Sequence, residues 1–276
     1  MNYRHAFHAG NFADLIKHAA LLRLLASLRA DKAPLRVIDT HAGSGLYDLR
    51  GPEATRSGEA QAGVMRLMGQ ATPPAALLAL ADEVAAANDG GETWLYPGSP
   101  WLIARGLRPG DSYLACEMQP QEHERLAAVL GSVPGVATLC ADGFAAAAEA
   151  VRPGQRTLIL VDPPFEKADD YGRIAALAGT VLARAPKTMF LIWLPLKDLE
   201  TFDGFLRDLE DACEPAALLV AEVRMRPLTD PMKMNGCALV LINAPDGLEP
   251  VLAEACAWVA DGGEDGRGQV WPLAGV

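Results

Sequence analysis

The chain has 276 residues, 50% of them apolar and 21% charged, with 24 Lys plus Arg against 35 Asp plus Glu and a formal net charge of −11. That composition buries a real core and excludes a disordered or low-complexity chain. Its acidity excludes whole-surface attraction to nucleic acid, so any such contact must run through a local patch and a pocket.

The length fits one large domain or two small ones. The cysteines are Cys116, Cys140, Cys213, Cys237 and Cys256, an odd number without a CxxC pair and, Cys213 apart, in apolar stretches. They read as small core residues in a reducing compartment, and their spacing implies neither disulfides nor a metal site. The first ten residues lack the apolar core of a signal peptide. The most apolar run, residues 188–196, is too short to span a membrane and contains Trp193 and Pro195. A cytoplasmic protein is expected.

Residues 1–36 carry six basic residues against Asp14 and Asp31, a balance of +4 that leaves −15 for the rest of the chain. This is either a solvated helix face or a binding patch. Asn11, followed by Asp14 and by Leu15, Ile16, Ala19, Leu22 and Ala26, predicts a capped amphipathic helix ending near Ala30. Residues 35–39 read as a buried strand running into Thr40-His41-Ala42-Gly43-Ser44-Gly45. Residues 47–88 turn Ala- and Leu-rich, broken at Pro73-Pro74, and read as a helical insertion.

Beyond Tyr96-Pro97-Gly98-Ser99-Pro100, strands are predicted at 112–118, 136–140, 157–161, 188–194, 218–225 and 237–243, and helices at 121–130, 144–151 and 171–185. Alternating strands and helices predict an α/β fold, a mostly parallel seven-stranded sheet covered on both faces. The last two strands should form an antiparallel hairpin at one edge. The Gly- and acid-rich residues 261–268 read as a loop. The expected organisation is 1–46 (first helix, first strand and ligand loop), 47–95 (insertion subdomain) and 96–276 (the remainder).

Strand ends carry the chemistry. In doubly wound sheets ligands sit at the carboxyl ends of strands near the switch point. Gly43 and Gly45 let backbone approach a ligand there, but the third glycine of the dinucleotide fingerprint is missing, which disfavours a pyrophosphate. Glu117 ends the next strand and can accept from two ribose hydroxyls, and Asp142-Gly143 ends the third, where a carboxylate can accept from an adenine amino group.

The decisive element is Leu158-Ile159-Leu160-Val161-Asp162-Pro163-Pro164-Phe165. Proline cannot continue the ladder and holds its predecessor extended, so Asp162 and the following carbonyl are fixed at the strand end. Two acceptors aimed at the hydrogens of an aryl amine favour a pyramidal nitrogen and draw off charge as its bond to carbon forms. The Phe165 ring can stack on a flipped base.

This order of motifs resembles the class I S-adenosylmethionine-dependent methyltransferases that modify exocyclic amino nitrogens, a Rossmann-like fold. The block from Tyr3-Arg4-His5 through Asn11-Phe12-Ala13-Asp14 to Lys17-His18, with Tyr96-Pro97-Gly98-Ser99-Pro100, is similar to one family across essentially the whole chain, the bacterial 23S ribosomal RNA adenine-N6 methyltransferases.

The resemblance implies S-adenosylmethionine as cofactor, held by His18, His41, Ser99, Glu117, Asp142, Gly143 and Asp162, with Asp162 as the catalytic acceptor. Gly43 and Gly45 join the cofactor set from the loop reading. Tyr3, Arg4, His5 and Lys17 form an aromatic and basic group suited to RNA backbone and a flipped base, beside Pro163 and Phe165. The expected partner is 23S ribosomal RNA, with no membrane association and a monomeric enzyme.

Phe165 stands where that family more often has Tyr, and guanine-N2 RNA methyltransferases also carry Phe there. Guanine-N2 RNA and adenine-N6 DNA methylation therefore stay open, as do a dinucleotide-dependent oxidoreductase and a non-catalytic binding relative.

Overall fold

The computed structural model describes residues 5–230 and 234–273. Asn11 caps the first helix, its side chain accepting from the N–H groups of Ala13 and Asp14, and α1 runs Phe12–Arg29. Strand β1 (Arg36–Asp39) follows, then β2 (Leu46–Asp48), α2 (Pro52–Ser57), a π-turn at Gln61–Met65, α3 (Arg66–Met68), α4 (Ala75–Ala87) and β3 (Leu95–Pro97). The chain continues as α5 (Ser99–Arg105), β4 (Ser112–Cys116), α6 (Pro120–Leu130), β5 (Val136–Leu139), α7 (Gly143–Ala150), β6 (Thr157–Val161) and α8 (Asp170–Arg184). It ends with β7 (Met189–Leu196), α9 (Leu199–Cys213), β8 (Leu218–Arg224), β9 (Gly236–Ile242), α10 (Glu249–Ala260) and β10 (Arg267–Leu273).

The main sheet has eight strands in the order β10-β8-β9-β7-β6-β1-β4-β5. Strands β7, β6, β1, β4 and β5 are parallel, and β9, β8 and β10 add antiparallel. From β1 the chain winds outward to β4 and β5, then returns to β6 on the other side of β1. That reversal opens a crevice at the carboxyl ends, where doubly wound sheets hold ligands.

Period-two alternation divides the core. Val37, Leu158, Leu160 and Leu191 face one layer with α1, α5, α10 and the insertion, whereas Ile38, Ile159, Val161 and Phe190 face α7, α8 and α9.

Three expectations change. An eighth strand, β10, lies outside β8 where a seven-stranded sheet was expected, so β8 is internal and the β8–β9 hairpin is not the edge. Gly268 and Pro272 hid this strand; Pro272 is tolerated because an outermost strand leaves N–H groups unpaired. The amphipathic reading of α1 also fails. The helix packs against α4, α5, α10 and the π-turn, so its first half is buried all round, including Asp14, Lys17 and His18. Finally, Cys140 is exposed while the other four cysteines are buried, because it follows the last residue of the outermost strand β5.

The insertion is framed by β2 and β3, which pair antiparallel. Its Val64, Leu67, Leu77 and Leu80 are fully buried in the same core layer as α1.

Candidate active site

The loop after β1 turns at Gly43 and Gly45, whose φ angles of +65° and +83° suit residues without a Cβ. Glu117, just past β4, fastens this loop, accepting from the N–H of Gly43 at 2.9 Å and of Gln119 at 2.7 Å. Burial pushes its carboxyl above the usual range. Beneath it lies Asp39, fully buried at the end of β1, which accepts from the Ser99 hydroxyl at 2.8 Å and the Tyr113 hydroxyl at 3.3 Å. Burial raises Asp39 to about 7.

Gly143 opens α7 against β1, where a Cβ would lie 1.8 Å from the Thr40 carbonyl oxygen. Only glycine permits that approach.

These strand ends wall a cleft with about 1150 Å³ of atom-free space, part of it open to solvent. His18, His41, Gly43, Ser99, Glu117, Asp142, Gly143 and Asp162 all line it. Gly45 does not; its carbonyl accepts from Gly98 N–H, so it closes the turn instead of meeting a ligand. Asp142 lines the cleft with both oxygens engaged. One caps α7 through Phe144 and Ala145, and the other pairs with Arg173 at 2.5 Å. Its carboxyl is held below the usual range because Arg173 and these N–H groups outweigh burial.

His18 is buried, its Nδ1 2.8 Å from the Tyr96 hydroxyl. His41 packs edge-on to Phe144. Burial lowers these histidines to about 3 and about 4, so both are neutral near pH 7.

A second pocket adjoins the first, lined by Pro164, Phe165, Trp193, Pro195, Lys197 and the His8–Asn11–Glu59 cluster among others. His5, Lys17, Asp162 and Pro164 line both, so Asp162 stands in the partition. Phe165 has φ +51°, uncommon for an aromatic residue. Its ring contacts Tyr171 and Trp193 at centroid distances of 4.9 and 5.8 Å. Pro163 is walled off from both pockets, and Pro164 takes the lining position expected of it.

A family model described as RsmJ, ribosomal RNA large subunit methyltransferase D, RlmJ, matches residues 32–271. The chain belongs to this family. It is 32% identical over 260 residues to ribosomal RNA large subunit methyltransferase J of Escherichia coli, covering 94% of this chain and 92% of that one. The Haemophilus influenzae protein of the same name is 31% identical over 256 residues, covering 92% and 91%. A Legionella pneumophila crystal structure superposes with a TM-score of 0.87 at 26% identity, covering 96% of this chain and 98% of the other. As an RlmJ-family member, the chain is an S-adenosylmethionine-dependent methyltransferase of ribosomal RNA.

The cleft fits that cofactor. S-adenosylmethionine carries a sulfonium and no phosphate. Six carboxylates and only three Lys or Arg side chains line the cleft, beside two neutral histidines. Such a wall favours a cationic ligand centre and repels a pyrophosphate.

Lys17 departs from the RNA-backbone role expected of it. Its side chain is 5% exposed, with Nζ 2.8 Å from Asp14 and 2.5 Å from Asp162. Burial disfavours the ammonium, yet these carboxylates raise its pKa well above the ordinary value. His5 sits where the two pockets meet, its Nε2 3.1 Å from Asp14. Tyr3 and Arg4, also expected to meet RNA, lie outside the described residues.

Sequence reasoning missed Asp39, Trp193 and Lys197 in this RlmJ-family site. Asp39 at a strand end was a signal in hand. The other two sit in and just beyond an apolar strand, β7, with no local motif.

Proposed function

We propose that the chain methylates the exocyclic N6 amino group of an adenine in 23S ribosomal RNA. The observation that carries this reading is Asp162 in the wall between a carboxylate-rich cleft and an aromatic pocket. The bound cofactor supplies an electrophilic methyl group. The Glu117-fastened loop and the Asp142 strand end hold the nucleoside part of that ligand. Neutral His18 and His41 add no positive charge beside the sulfonium. In the second pocket, Phe165, Trp193 and Pro164 give a flat base extruded from its stack aromatic and apolar side chains to lie against.

Asp162 would accept from the amine hydrogens while the nitrogen takes up the methyl group that the cofactor, bound in the cleft, would supply, leaving as a neutral thioether. The neutral amine is a very weak acid, so charge is stabilised during attack, and the proton passes afterwards from the methylated nitrogen to the Asp162 carboxylate and on to solvent. Positioning and fixed electrostatics supply the acceleration. RNA backbone contact falls to exposed Lys197 at the pocket rim, which has no ion pair among the described residues.

The reading is tested by methylating a 23S ribosomal RNA fragment with labelled cofactor and digesting it to nucleosides. N6-methyladenosine is the expected product; N2-methylguanosine overturns the adenine assignment.

A further inference from the structure

Asp14 has no part in the chemistry above, yet it is 2% exposed and fully engaged. One oxygen accepts from Gly10 N–H at 2.9 Å and His5 Nε2 at 3.1 Å, both in the segment leading into α1. The other lies 2.8 Å from Lys17 Nζ, which reaches on to Asp162 at 2.5 Å. An acid in the first turn of a helix serves stability equally well in solvent, where it meets the helix dipole without desolvation. Burying it with a lysine is weak support for stability, because the desolvation of both charges offsets their attraction. The geometry of the trio gives the arrangement another use.

We infer that Asp14 is a positioning residue for methyl transfer: it shares the Lys17 ammonium with Asp162 and ties the His5 turn to the same point. This rests on the role of Asp162 proposed above. With Asp14 in place, the trio Asp14–Lys17–Asp162 carries one net negative charge, and Asp162 keeps acceptor strength for the amine. Without it, the whole Lys17 charge bears on Asp162 and neutralises that acceptor. His5 also loses its anchor at the mouth shared by the two pockets.

A double-mutant cycle on single-turnover rates at saturating cofactor tests this, with cofactor affinity measured by calorimetry on each folded variant. Asp14→Asn is expected to slow methyl transfer roughly 10- to 100-fold, while cofactor affinity stays within about two-fold of wild type. An Asn side chain keeps an oxygen to accept from Gly10 and His5, so the Asp14→Asn/Lys17→Gln double variant, which removes both buried charges, is expected to be no slower than Lys17→Gln alone. If Asp14→Asn fails to fold, comparing Lys17→Gln with the double variant decides the matter. An Asp14→Asn rate within about two-fold of wild type overturns the inference, and so do losses that multiply across the cycle. An Asp162→Ala control separates the two claims. If that control is active, the proposed chemistry fails; if it is inactive while Asp14→Asn is normal, only the Asp14 inference fails.

Discussion

The two adjoining pockets are built differently. The cofactor cleft is assembled from consecutive strand ends, so its carboxylates and glycines each close a short, recognisable segment: Asp39 to Gly45, Glu117, Asp142-Gly143 and Asp162. The aromatic pocket draws on the segment before α1, the insertion, β7 and the loop between β8 and β9. No two neighbouring segments announce it. The cleft follows from the topology of the sheet, whereas the second pocket is gathered from segments far apart in the chain, the insertion among them through Glu59. Residues that line one pocket alone should therefore respond independently to substitution, with only the shared His5, Lys17, Asp162 and Pro164 felt in both.

Glu117→Ala should be felt in the cleft alone. Loss of a charge-assisted acceptor should weaken S-adenosylmethionine binding by about 1.5–3 kcal/mol, measured by calorimetry, with RNA affinity unchanged. Phe165→Ala is the counterpart in the other pocket. Loss of a stacking face should reduce kcat/KM for RNA by about 1–3 kcal/mol while leaving cofactor affinity alone. Phe165→Tyr should be tolerated, because it keeps the ring. If Phe165→Ala instead weakens the cofactor and spares the RNA reaction, the assignment of the two pockets is wrong. The smallest effect belongs to Lys197→Ala. RNA affinity should fall modestly, and the slope of its logarithm against log salt should shrink by about one. An unchanged slope places the phosphate contact elsewhere.

The same contrast explains what was legible in the sequence. Residues 157–161 read as a buried strand because five apolar or β-branched residues end abruptly at Asp162-Pro163-Pro164, and β6 occupies that range. The parallel sheet followed from strand–helix alternation, and the α1 cap from Asn11. Strand β10 escaped because Gly268 and Pro272 interrupt its pattern, and edge position, which excuses them, is a tertiary fact. Lys17 misled for a similar reason. Charge counting treats a lysine as solvated, and only the packing of α4, α5 and α10 around α1 shows that its partners are Asp14 and Asp162. Trp193 read as one more apolar residue in β7, and its place opposite Phe165 depends on a loop conformation with φ +51°.

Asp162, at the partition, carries the central claim, and the single-turnover rate of Asp162→Ala on a 23S ribosomal RNA fragment tests it most directly. Loss of its carboxylate should cut methyl transfer by at least roughly 100-fold in a protein that still folds, with Asp162→Asn retaining at most weak activity because it keeps an oxygen without the charge. Near-normal methylation by Asp162→Ala would contradict the account.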